Sequence, residues 1–107
     1  MTIWGEGGVI LLPAVVQAVP EGLETGQVSV GTGATLICAA RPGRRSVTLR
    51  NLTGTARVFA GGSNAVTTAN GMLIVAAEGD GLVISGSMAI YGIAEGSAQT
   101  VSFAETF

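Results

Sequence analysis

The sequence predicts an all-β domain: an antiparallel β-sandwich, jelly-roll-like, of about eight strands, with an extended N-terminal arm. Three observations carry this expectation. Val, Ile and Thr supply 30 of the 107 residues, a β-branched excess that packs well on pleated strands. Seventeen glycines cut the chain into short segments. From Gln27 onward turn signals recur at roughly the 8 to 12 residue spacing of sandwiches and barrels.

The elements follow in order. Residues 1–25 mix glycine, two prolines and the apolar run VILLPAVVQAV (9–19) without sustained alternation and end in the turn-rich PEGLETG (20–26). They are assigned to the arm, and residues 26–107 to the sandwich. Strands are expected at 27–30, 34–40, 45–51, 55–60, 72–77, 82–86, 88–93 and 98–104. In the third, Val47 and Leu49 face inward and Ser46, Thr48 and Arg50 outward. In the fourth, Ala56, Val58 and Ala60 share one face and Arg57 and Phe59 the other, which leaves an aromatic exposed beside an arginine, a pairing typical of an interface. NLTG (51–54) suits a tight hairpin joining these two strands, and EGDG (78–81) a second turn. The eleven-residue GGSNAVTTANG (61–71) reads as a crossover between sheets or a functional tip.

Composition excludes most catalytic designs. There is no His and one Cys, Cys38, so His-based acid and base catalysis, Cys/His metal sites and an internal disulfide framework are absent. Glu78 and Asp80 share one turn and read as solvated tip residues. Cys38, within LICAA, reads as a buried structural thiol. The clusters GEGG, GTG and GG lack the Lys and helix of a phosphate loop. No enzyme, cofactor or metal is expected.

Charge is sparse and segregated. Charged residues make up 11% of the chain and the formal net charge is -2. All five cations, Arg41, Arg44, Arg45, Arg50 and Arg57, fall within residues 41–57, and the seven acids lie outside that window. An acidic balance without Lys speaks against nucleic acid as a partner. The separation of sign suits docking on an acidic protein surface or packing among copies, or serves solubility alone. The apolar run is too short for a membrane-spanning helix and is broken by Pro13, so no membrane is expected. The first eight residues carry an acid and no basic residue, unlike a signal peptide, so the chain reads as one made in the cytoplasm and not exported.

The stretch from Arg41 to Phe103 resembles small virion structural proteins of tailed bacteriophages, in particular head decoration, or cement, proteins. The resemblance rests on a paired-arginine strand (Arg44, Arg45, Val47, Leu49), the turn at Asn51, a GGS turn (61–63), the connection VTTANG (66–71) and the closing MAIYGIAEGSAQTVSF (88–103) with Tyr91 at an aromatic position. The proline often found after that connection is missing from MLIVAAEGD (72–80). The resemblance implies a capsid decoration protein on the virion exterior, made in the host cytoplasm, with the major capsid protein as partner. Receptor-binding, fibre or neck modules use related β-scaffolds and form the alternative, and a carbohydrate-binding domain is a third reading that wants more exposed aromatics.

Two surfaces are candidates for such contacts. One is the arginine group Arg41, Arg44, Arg45, Arg50 and Arg57 with Phe59, with Arg50 and Arg57 brought together across the NLTG hairpin. The other is the arm, where Trp4, Val9, Ile10, Leu11, Leu12, Val15 and Val16 either fill the core as a first strand or bury themselves on a neighbouring chain. A small core and few charges favour a homo-oligomer, a trimer before a dimer.

Overall fold

The computed structural model describes residues 22–74 and 81–107. The arm expected from the sequence, with its seven candidate contact residues, lies outside the described residues, as does most of the EGDG turn. Among the described residues there are eight strands: β1 (Leu23–Val30), β2 (Thr35–Cys38), β3 (Ser46–Asn51), β4 (Val58–Gly61), β5 (Met72–Ile74), β6 (Leu82–Ser85), β7 (Ile90–Ala94) and β8 (Gln99–Thr106). They form the antiparallel sandwich that the sequence predicts, as sheets β1-β8-β3-β6 and β2-β7-β4-β5. The first strand begins at Leu23, so residues 23–25 belong to the sheet and not to the arm.

One pairing rule generates this order. β1 lies on β8, β2 on β7, β3 on β6 and β4 on β5, which describes an antiparallel ribbon doubled back at its middle. Rolling the ribbon then places β3 against β8 and β4 against β7. The result is a jelly roll, in which consecutive strands lie in alternate sheets except at the β4–β5 turn.

Alternation builds the core. Val47 and Leu49 of β3, Val58 and Ala60 of β4, Ile90 and Ala94 of β7 and Val101 of β8 all point between the sheets. The fully buried side chains are aliphatic apart from Gln99, and Phe103 packs against the cluster from its margin. On β2 a register shift between Leu36 and Cys38 breaks the alternation, so Ile37 and Cys38 are both buried. Gly92 makes room for them: a Cβ there would stand 2.7 Å from Ile37 Cδ1.

The turn RPGR connects β2 to β3. Pro42 sets the first central position, Gly43 takes the second at φ 85°, and Arg44 N–H donates to the Arg41 carbonyl at 3.1 Å. Arg41 and Arg44 therefore stand at the two ends of one turn.

Two connections differ from the sequence expectation. NLTG turns at Gly54 (φ 73°), but it carries the chain from β3 in one sheet to β4 in the other rather than closing a hairpin. Side chains hold this crossing. Asn51 Nδ2 donates to the Ala56 carbonyl at 2.9 Å, and Gln99 Oε1 accepts from the N–H groups of Thr55 and Ala56, both at 3.1 Å. These bonds satisfy backbone that leaves one ladder before it joins the next, which is why the fourth strand starts at Val58 and not at 55. Conversely, GGSNAVTTANG joins two paired strands of one sheet. It is a long hairpin loop, pinned by buried Val66 and by Asn70 Oδ1, which accepts from Thr67 N–H at 2.7 Å.

Gln99→Leu keeps the volume but strands the Thr55 and Ala56 N–H groups. It should lower unfolding stability in urea by about 1–3 kcal/mol, and an unchanged midpoint would show that water replaces the amide.

Candidate assembly interface

Each sheet ends in two edge strands, so the sandwich has two open sides. β1 faces β2 on one, and β5 faces β6 on the other. They differ in chemistry.

The β1/β2 side is charged. Glu105 reaches inward from β8, in the same parity as Gln99, Val101 and Phe103, and is buried. Arg44, 4% exposed, meets it from the RPGR turn, with Nη1 2.9 Å from Glu105 Oε2. Three more donors of Arg44 are also used. Nε donates to the Gly86 carbonyl at 2.9 Å, Nη1 to that of Ala39 at 3.2 Å, and Nη2 to that of Met88. Arg41 stands outside this pair, where it bonds Glu24 of β1, lies 3.8 Å from Glu105 Oε1 and stacks over the Phe107 ring at 4.1 Å. A cleft of about 310 Å³ lies among Glu24, Cys38, Arg41 and Glu105. Burial, followed by the charge of Glu105, pushes the Cys38 thiol from its ordinary 9.0 up to about 11. A thiol so placed is protonated and unreactive, in agreement with the structural role expected for it.

Among the described residues the β5/β6 side carries no charge in its lining. Ala60, Gly61, Met72, Ile84, Met88 and Ile90 enclose a groove of about 250 Å³. Met72 is 61% exposed and Met88 49%. β5 and β6 each pair on one edge only among the described residues, so their outer backbone groups face this side.

The remaining candidates are dispersed. Arg57 is held bidentate by Glu95, at 2.7 and 2.9 Å, and lies 5.8 Å from the ring of Phe59, which is half-buried beneath it. The Arg57 hydrogen bond draws the Glu95 carboxyl below its usual range. Arg50 projects from the outer face of the other sheet, beside Thr48 and Ser102. Arg45 is exposed at the start of β3. Arg50 and Arg57 are therefore not neighbours across a hairpin: β3 and β4 lie in opposite sheets, and the two side chains point away from one another. Nor do the five arginines make one patch. Arg41, Arg44 and Arg57 each meet an acid drawn from elsewhere in the sequence, so the charge segregation of the linear chain is largely cancelled by folding.

Sequence reasoning missed two features. Glu105 as the partner of Arg44 is signalled by its inward parity on β8. The groove residues Met72, Ile84 and Met88 carry no local signal, because they come together only when β5 and β6 face each other. Among the described residues no three His, Cys, Asp or Glu side chains gather where they could hold a metal.

No family model matches this chain, and no curated protein matches it. Among solved structures it is similar to a chain from the disulfide-linked pili of Bacillus endospore appendages, with a TM-score of 0.50 and 15% identity over 87% of this chain and 95% of that one. The likeness is one of fold.

Two outcomes follow from the charged side. Arg44→Met removes the buried partner of Glu105 and leaves its carboxylate only the part-exposed Arg41, 3.8 Å away, which should cost about 3–5 kcal/mol in urea unfolding, whereas Arg44→Met/Glu105→Leu should recover part of that loss. A single variant as stable as the parent would mean that the pair is open to water. For Cys38, ionisation favours the unfolded chain, since the folded thiol titrates higher. Stability should hold up to pH 9.0 and fall as the pH rises toward about 11. Cys38→Val should lose that part of the fall, and equal pH profiles for the two proteins would contradict it.

Proposed function

We propose that this chain is a non-enzymatic structural subunit, used in many copies on the exterior of a larger assembly. The observation that carries the reading is how its polar and apolar groups are distributed. Among the described residues, the buried polar side chains Arg44, Glu105, Gln99 and Asn51 are bonded within the sandwich, while apolar side chains of the β5/β6 side are left bare. An enzyme keeps polar groups aimed into a cleft; an assembly subunit keeps a rigid body and an apolar contact surface.

The finer form of the reading is decoration of a phage head. The resemblance of residues 41–103 to such proteins supports it, and it makes the major capsid protein the scaffold, with copies of the chain meeting as a trimer before a dimer. The fold likeness to a pilus chain supports a second form, in which copies of the chain polymerise with one another into a surface appendage. Buried Cys38 is the one thiol of the sequence, so copies of this chain would be held by packing and not by disulfides between exposed thiols.

Electron microscopy and light scattering of the purified chain, with gel densitometry of particles that carry it, test this. Self-association, with saturable binding to particles in hundreds of copies, is the expected result for a decoration protein, and filaments grown from the chain alone are expected for an appendage. A strict monomer at high concentration that joins no particle would overturn both.

A further inference from the structure

We propose that the apolar groove between β5 and β6 takes the Val9–Val16 run of a second copy of this chain. This rests on the self-assembly read above and names its contact. The two open sides of the sandwich are unequal. The β1/β2 side is guarded by Glu24, Arg41, Arg44 and Glu105, and a neighbouring strand that added there would have to desolvate them. Among the described residues the β5/β6 side has unpaired strand edges, methionine rims and no charged lining. Native sheets blunt an exposed edge with charge, so one whose described residues are uncharged and rimmed by half-exposed methionines is built to be covered.

The sequence holds a segment of matching chemistry. VILLPAVV carries no charge over eight residues. Its first four can lie as a short strand along the outer edge of β5 or β6, with Ile10 and Leu12 on the side facing Met72, Ile84 and Met88. Pro13 ends that pairing because it has no N–H to give, which limits the contact to a few ladder bonds plus apolar burial.

The exit of the chain selects a second copy over the chain's own groove. Gly22 N–H donates to the Phe107 carbonyl and Phe107 N–H to that of Gly22, so the backbone at Gly22 is held in line with β1 and aimed past the end of the sandwich. Across that end Leu23 aligns with Thr106, Ser46 and Ser85, which puts the β6 edge three strand spacings, about 14 Å, away. Return to its own groove needs the chain to leave the line of β1 at Gly22 and double back across the end of the sheet. Continuing outward leads to a neighbour.

The test uses full-length chains of two sizes, one carrying Ile10→Cys and the other Met88→Cys, mixed and gently oxidised. The proposal expects a crosslinked pair of unequal chains, several-fold more abundant than with Leu36→Cys, which offers an exposed position on β2. Equal crosslinking to both positions would overturn it, as would a chain bearing both substitutions that closes on itself as a monomer. Met88→Arg gives a second measure. Met88 is half-exposed, so the thermal midpoint should hold while self-association is lost. If Met88→Arg chains still assemble, the groove is not the contact although the structural role stands. If the parent chain never self-associates, both fall.

Discussion

The guanidinium of Arg44 is the contact on which the rest of this structure depends. It reaches Ala39 after β2, Gly86 and Met88 between β6 and β7, and Glu105 on β8. Those segments belong to both sheets, so one side chain fixes how the sheets meet at this end. A domain whose largest fully buried groups are Leu, Ile, Val and one Gln gains only modestly from apolar burial. A buried cation with four acceptors adds definition at the point where an aliphatic core is thin. Arginine can fill this role and lysine cannot, because its planar fork donates along several directions at once.

The same contact links fold to function. By holding the Met88 carbonyl, Arg44 places the Met88 side chain on the rim of the β5/β6 groove. Positive charge that the linear chain concentrates in one window is drawn into pairs with Glu24, Glu105 and Glu95. Arg45, at the start of β3, and Arg50 within it stay at the surface, and the open β5/β6 side is apolar among the described residues. A surface of that kind associates by burial, with strand edges giving direction, and area rather than charge sets its strength.

Much of the fold was legible in the chain, and particular residues show why. Val47 and Leu49 alternate cleanly with Ser46, Thr48 and Arg50, so strand, face and burial could all be read locally. The jelly-roll class followed from many short strands. NLTG was misread because a turn dictates a reversal of direction but not the sheet in which the next strand lies; that is decided by Gln99, 44 residues from Thr55, reaching across to hold the crossing. Likewise the arginines were read as a surface because nothing near Arg44 in sequence announces Glu105, 61 residues on. The groove is the least legible feature, since its walls come from four separate segments that only the roll brings together.

The central claim is that copies of this chain meet through apolar surface while Arg41, Arg44 and Arg57 are paired within the fold. Sedimentation equilibrium of the full chain from about 0.05 to about 1 M salt tests it most directly, because exposed charge pairs separated by more than a Debye length are screened over that range and apolar contacts are not. The account predicts association that is unchanged or tighter as salt rises. Dissociation that grows steadily with salt would contradict it and return the arginines to the interface.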